Sequence, residues 1–326
     1  MKGTNVNRRG VSYGKYGALF ITPFFVIFLI FQLYPIVYSI IISFTTFSGF
    51  QTKVDLSDPT FEQYTFLWSS PRFWQSILNT FIIWLINFIP QIVLAFVFAA
   101  IFSSVSLKLR GSKAFKIIYY LPNIITAASV AVLFETLFEY RQGILDTAIK
   151  FFGWVGDDFN IARSIWGARL LISFIQFWRY FGYTVLTLAA SMISINPSYY
   201  EAAKIDGATG VKSFFHITLP LMRPIVLYTL ITSLVGGLQI FEMPYLMYEG
   251  GPGLSNGGGA TETTAVYIYQ MAFGTGSANN YALASAASVY LFIIILILSY
   301  ITFRFFGKEA FGIERKPKKA KEKVNA

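Results

Sequence analysis

The sequence predicts an all-α integral membrane protein of six transmembrane helices, with a helix–turn–helix outside the bilayer between the fourth and fifth. Three observations predict it. The 326 residues are 55% hydrophobic and only 13% charged, with a mean hydropathy of +0.56, whereas soluble chains carry about 25% charged residues. The apolar residues are gathered into six blocks, each at or above the roughly 20 residues that cross a bilayer core as a helix. Basic residues collect between those blocks on alternate sides.

The first block, 16–44, follows Lys2, Arg8, Arg9 and Lys15. It is longer than the roughly 7–15 residues of a signal-peptide core and continues through Phe31-Gln32-Leu33-Tyr34-Pro35, so it reads as a retained helix. Further blocks follow at 76–103, 114–138, 167–193, 219–248 and 281–306. The second and fifth contain Pro90 and Pro244, and the fifth also has Gly236-Gly237. Such residues interrupt helical hydrogen bonding, which is tolerated at depth where protein or a water-filled cavity satisfies the backbone, so the fifth block is a candidate cavity wall. The sixth carries Ala282, Ala284, Ser285, Ala286, Ala287 and Ser288, small enough for close helix contact.

An even number of spans puts both termini on one side. The arm 1–15, the turn 104–113 with Lys108, Arg110 and Lys113, Lys116 at its exit, and a tail with eight basic residues from Arg304 onward all fall there. The opposite loops, 45–75, 139–166 and 249–280, hold few: Lys53 and Arg72, then Arg141, Lys150 and Arg163. Lys and Arg are retained in cytoplasmic loops, so both termini are expected in the cytoplasm of a plasma (inner) membrane protein. The organisation is a basic arm (1–15), a membrane domain (16–306) and a basic tail (307–326).

Composition also excludes chemistry. The net charge of +10 follows span ends and forms no single patch, so no nucleic acid partner is expected. Lys316 to Lys323 reads as a solvated tail beside anionic lipid. Without cysteine there is no disulfide, thiolate metal site or thiol nucleophile. The single histidine, His216, has no carboxylate cluster at metal-ligand spacing. No Gly-x-x-x-x-Gly-Lys-Ser/Thr loop occurs, so the chain itself is expected to bind no ATP and no cofactor.

Between the fourth and fifth blocks lies Asn196-Pro197-Ser198-Tyr199-Tyr200-Glu201-Ala202-Ala203-Lys204-Ile205-Asp206-Gly207-Ala208. Ser198 three residues before Glu201 fits a capping box, Pro197 suits a helix start, and Gly207 suits the left-handed residue that ends a helix. A second amphipathic stretch, 211–218, is closed by Leu219-Pro220.

Glu201-Ala202-Ala203, Gly207 four residues on, and Ile217-Thr218-Leu219-Pro220 resemble the EAA loop of the membrane subunits of binding-protein-dependent ABC importers. Leu33-Tyr34-Pro35 with Tyr38-Ser39 and Ser43-Phe44, and Pro71-Arg72-Phe73-Trp74 through Asn79-Thr80, are similar to the sugar-importing branch. Gly250-Gly251-Pro252 and Tyr267-Ile268-Tyr269 with Ala272-Phe273 resemble its maltose- and lactose-type first permease. The chain departs from that pattern in a Gly-rich insertion at 251–260 and in lacking the large extracytoplasmic domain of the maltose-type subunit.

The resemblance implies a permease subunit that imports a di- or oligosaccharide. Its partners would be a second permease, an ATP-binding cassette ATPase dimer holding ATP and Mg, and an extracytoplasmic sugar-binding protein. It implies that the loop 196–220 docks in a cleft of the ATPase through Tyr200, Glu201, Ala202, Ala203, Asp206, Gly207, Leu219 and Pro220. It also implies that Tyr183 and Ser233 line the sugar site, with contacts differing around Gly236, Gly237 and Ile240, where this chain lacks bulkier and polar groups.

The residues themselves add candidates. Ionisable side chains inside a span are costly, so Arg179 and Glu242 call for partners: each other, the second permease or substrate. Sugars are held by hydrogen bonds and aromatic faces, which Trp178, Tyr180 and Gln239 also supply. Packing is the competing reading for each. Three other functions stand beside sugar import. An importer of another solute such as glycerol phosphate would favour cationic cavity residues such as Arg179, and an ion-driven secondary transporter would need an intramembrane ion site, for which Glu242 is the candidate. A membrane-embedded enzyme would need clustered acids, and Glu135, Asp157, Asp158, Glu242 and Glu262 form no recognisable set.

Overall fold

The computed structural model describes residues 14–49, 54–103, 111–274 and 279–310. The basic arm to Tyr13, the turn with Lys108 and Arg110, and the tail from Phe311 lie outside the described residues. What is described is helical, with isolated bridges and no named strand.

The first predicted block forms α1 (Gly14–Phe28) and α2 (Tyr34–Ile42), joined by one wide turn over Leu29–Leu33. That turn falls where Pro35 has no N–H to give the Phe31 carbonyl. Almost every side chain of this run is exposed. After the short α3 (Glu62–Ser69), α4 (Pro71–Ser103) runs for 33 residues straight through Pro90.

The third predicted block is not one helix. It divides into α5 (Ser112–Ile124) and α6 (Ala127–Leu137), bent by 95°. The extended Ile125 ends the first, and Thr126 starts the second by accepting the Ser129 N–H at 3.3 Å. An amphipathic α7 (Ile144–Phe151) follows, then α8 (Ile165–Ile193), whose first turn Ser164 caps through the Gly167 N–H at 3.1 Å.

The helix–turn–helix consists of α9 (Ser198–Ile205) and α10 (Gly210–Ser213), the latter continuing through a wide turn at Phe214–Thr218 into α11 (Leu219–Leu221). The expected capping box is absent: Pro197 holds the cap position without a side-chain bond, and Asn196 Oδ1 accepts from the Ser198 N–H instead, at 3.0 Å. Ser198 already lies inside the helix and so cannot cap it. Gly207 is left-handed at φ +74°, and the Ala208 N–H closes on the Ala203 carbonyl at 2.8 Å.

The fifth block is broken. α12 (Arg223–Leu238) stops just past Gly236-Gly237, and α13 (Glu242–Tyr248) restarts after Gln239, Ile240 and Phe241. Pro244 sits in the first turn of α13, four residues after Ile240, so it has no N–H to give the Ile240 carbonyl and a continuous helix cannot close there. α14 (Thr264–Phe273) and α15 (Tyr281–Ala310) complete the chain.

Four of these helical runs, Tyr16–Ile42, Pro71–Ser103, Arg223–Tyr248 and Tyr281–Gly307, are long and apolar enough to cross a membrane, and the bent pair would make a fifth. α8 is long enough at 29 residues, but Arg169, Gln176 and Arg179 lower its apolarity. Those three side chains are buried.

The core follows α8. On its first half Leu171, Ile172 and Ile175 pack with Ile83 of α4, Val130 and Phe134 of α6 and Met243 and Met247 of α13. On its other half Phe181, Val185 and Leu188 pack with Ala95 and Ala99 of α4. Gly182 lets α5 approach, since a Cβ there would strike the Tyr119 carbonyl. The small-residue face of α15 is used as expected: Leu283, Ala286 and Ala287 pack on Leu67, Phe73 and Tyr267.

Candidate functional site

α4, α8, α12 and the break before α13 enclose a cavity of about 550 Å³. α4 contributes Trp84, Asn87, Phe88 and Gln91, one helical face at spacings of three and four. From α8 come Gln176, Tyr180, Tyr183 and Thr184. α12 presents Thr229, Thr232, Ser233, Gly236 and Gly237, and the broken segment supplies Gln239, Ile240, Phe241 and Glu242. Among the described residues Glu242 is the one charged side chain in this lining.

The two glycines have different tasks. Gly237 is covered by the Trp84 indole, which a Cβ would strike, whereas Gly236 has nothing within 4 Å of that position. The indole is held on three sides: its Nε1 donates to Ser233 Oγ at 3.1 Å, Phe88 stacks on it at 5.6 Å and 13°, and Gly237 lies beneath. Gln91 Nε2 donates to Thr184 Oγ1 at 2.7 Å, tying α4 to α8 across the wall. Gln176 is 7% exposed, and its Oε1 has no hydrogen-bond partner among the described residues.

Of the residues expected at a site, Tyr180, Tyr183, Ser233, Gly236, Gly237, Gln239, Ile240 and Glu242 line this cavity. Arg179 stands beside it, with Nη1 3.2 Å from Glu242 Oε2, so the two charges that called for partners pair with each other. Trp178 does not line it: its ring meets Phe134 at 5.6 Å, in the packing against α6. One residue before Arg179 on a helix, it faces a different side. The α4 face was missed altogether. Its signal was present, because Asn87 and Gln91 are amides four residues apart inside an otherwise apolar span.

The α9–α10 segment is built differently. Ala203 is buried, while Glu201, Ala202, Ile205, Asp206 and Gly207 are exposed. Tyr200 Oη lies 2.9 Å from Thr218 Oγ1, joining α9 to the wide turn that leads through Leu219 and Pro220 to α12. Tyr199, Ile205, Val211 and Phe215 are exposed apolar side chains on it. His216 is exposed, with Nδ1 3.0 Å from the Lys212 carbonyl. Among the described residues no three His, Cys, Asp or Glu side chains gather as for a metal.

At the far end of α4 a buried polar network holds the Gly-rich loop. Glu262, 2% exposed, accepts from Arg72 Nη2 at 2.7 Å and from the Gly259 N–H at 3.1 Å. Asn79 Nδ2 donates to the Gly259 and Glu262 carbonyls, and its Oδ1 accepts from Arg169 Nη2 at 2.6 Å. Arg72 also lies 5.6 Å from the Tyr267 ring. Burial pushes the Tyr267 hydroxyl above its ordinary range, opposed by its bond to Ser70 and by the Arg72 cation.

Comparison with known proteins gives one family. The family described as the binding-protein-dependent transport system inner membrane component matches residues 65–308. The chain is 31% identical over 291 residues to the lactose transport system permease protein LacF of Rhizobium radiobacter, covering 89% of this chain and 94% of that one. It is 30% identical over 312 residues to the arabinooligosaccharides transport system permease protein AraP of Bacillus subtilis, covering 92% and 91%. In fold it is similar to a chain of a bacterial alginate ABC transporter crystallised with an alginate pentasaccharide-bound periplasmic protein, with a TM-score of 0.74 at 21% identity over 91% of this chain and 96% of that one.

Proposed function

The chain belongs to the family of binding-protein-dependent transport system inner membrane components, and from that premise we propose that it is one permease subunit of an ATP-driven importer of a neutral di- or oligosaccharide. The observation that carries the sugar reading is the cavity. Its volume falls within the roughly 300–1,000 Å³ of small-molecule sites, and its wall combines amides, hydroxyls and aromatic rings. Hydroxyl-rich ligands are recognised by that combination. Two relatives named for lactose and arabinooligosaccharide transport support the same class. The rival cargo, an anion such as glycerol phosphate, is disfavoured because the lining presents a carboxylate and Arg179 is already paired with it.

Six spans with cytoplasmic termini are supported by a helix or broken helix at each apolar block and by the distribution of Lys and Arg. α8 counts as a span on this reading because its costly side chains, Arg169, Gln176 and Arg179, are buried within the protein and so turned away from lipid. α9 and α10 then lie on the cytoplasmic side and couple to the ATPase, which holds ATP and Mg. A rigid connection through Tyr200, Thr218 and α11 would carry movement of α9 into α12, and so into the cavity wall. A second permease and an extracytoplasmic binding protein complete the assembly.

The test is co-purification from detergent with a tagged chain. An ATPase and a second permease should accompany the native chain and be lost or uncoupled in Gly207→Pro, with Glu201→Ala as the milder variant. A chain that purifies alone, with both variants like native, overturns the importer reading.

A further inference from the structure

The break in the cavity wall leaves backbone groups to be satisfied. Where α12 stops and α13 begins, the Ile240 carbonyl has left the helical ladder, and Ile240 is 7% exposed. A shielded carbonyl without a donor is unfavourable at any depth in a bilayer. Its donor comes from another element: Thr263 Oγ1 donates to it at 2.6 Å, and Thr263 is fully buried.

The same hydroxyl also caps α14, accepting the Val266 N–H at 3.4 Å. It therefore donates to one element and accepts from another, which an uncharged hydroxyl does with a single atom. Its neighbours anchor it to α4. The Thr264 N–H donates to Thr80 Oγ1 at 2.9 Å, and Asn79 Nδ2 donates to the Glu262 carbonyl at 3.0 Å. A continuous set of bonds thus runs from α4, through 262–264, to Ile240. α4 carries one wall of the cavity, through Trp84 and Asn87, and the segment beside Ile240 carries the facing Gln239 and Glu242.

We infer that Thr263 is a positioning residue for substrate: it sets where the broken helix stands relative to α4, and hence the separation of the two cavity walls. Its hydrogen bond to the wall is to the Ile240 backbone carbonyl. This rests on the reading of the cavity as the sugar site, and the experiment separates the two.

The assembled transporter is reconstituted with Thr263→Val, which keeps the shape and removes the hydroxyl, and with Thr263→Ser, which restores it. Because the chain has no cysteine, a nitroxide pair introduced at the exposed Leu78 of α4 and Leu246 of α13 reports their separation without any ligand. Thr263→Val should shift or broaden that distance distribution, and Thr263→Ser should return it to native. Uptake of radiolabelled lactose and of an arabino-oligosaccharide should show KM raised about fivefold in Thr263→Val, the size of one net hydrogen bond, with the maximal rate within about twofold of native.

A native distance distribution and native KM in Thr263→Val overturn the inference, as does a Thr263→Ser variant that behaves like Thr263→Val. If Thr263→Val fails to assemble, Thr263→Ala replaces it in both measurements, and failure of both variants to assemble makes the residue structural and overturns the positioning role. Should the native transporter take up neither sugar, the sugar reading fails, while the distance measurement still decides the role of Thr263.

Discussion

Arg179 of α8 and Glu242 at the start of α13 meet at 3.2 Å, and their burial is unequal: the arginine side chain is 9% exposed and the glutamate 58%. Removing the exposed partner strands the buried one. Glu242→Gln should therefore lower the stability of the assembled protein by about 1–3 kcal/mol, and Arg179→Met by less, because a half-exposed carboxylate keeps its water. Thermal unfolding in detergent orders the two variants, and the reverse order contradicts the account.

The pair Arg72 and Glu262 is the mirror case. Here the acid is the buried member at 2% side-chain exposure and the arginine is 30% exposed. Arg72→Met should cost more than Glu262→Gln, by roughly 1–3 kcal/mol, since it leaves a buried carboxylate without its cation. Limited proteolysis within the Gly-rich loop 251–260 provides the readout, with faster cleavage expected in Arg72→Met.

Gly236 and Gly237 are adjacent and should respond oppositely. A methyl at Gly237 meets the Trp84 indole and must displace it from Ser233, so Gly237→Ala should destabilise by about 1–3 kcal/mol. Gly236→Ala points into open space and should leave stability unchanged or raised by up to about 1 kcal/mol, while altering KM for substrate. Unfolding curves together with uptake kinetics check both; equal effects would mean that the cavity has another shape.

Gly207 and Gly210 separate the conformation of the α9–α10 segment from its composition. Gly207 is left-handed at φ +74°, a region that costs an L-residue about 1–2 kcal/mol and that proline cannot enter. Gly207→Ala should weaken ATPase co-purification and Gly207→Pro abolish it. Gly210 lies in α10 with nothing within 4 Å of an added Cβ, so Gly210→Ala should retain the ATPase. Loss with Gly210→Ala would point to a surface contact at that position and away from the backbone turn.

Much of this architecture was legible because its causes are local. Apolar blocks, the break in the fifth, the alanine face of α15 and the left-handed Gly207 follow from residue type and spacing. The capping box failed on a one-residue matter: Ser198 lies inside the helix, and Asn196 takes over the backbone bond. The third block read as one helix because hydropathy does not register a 95° bend at Ile125 and Thr126.

Sequence by itself determined the membrane class, the positions of the apolar blocks and the two charges that needed partners, since burial cost and backbone chemistry act on each residue where it stands. Only the tertiary structure decided that Arg179 pairs with Glu242, that Trp178 turns away to Phe134, that Trp84 covers Gly237, and that Thr263 supplies the donor for Ile240. Each of those joins elements at least 20 residues apart, as Thr263 and Ile240 are at 23 and Arg179 and Glu242 at 63. Residue type announces that a polar group must be satisfied; which distant group satisfies it depends on how helices pack, and packing is settled by the whole set of side chains at once.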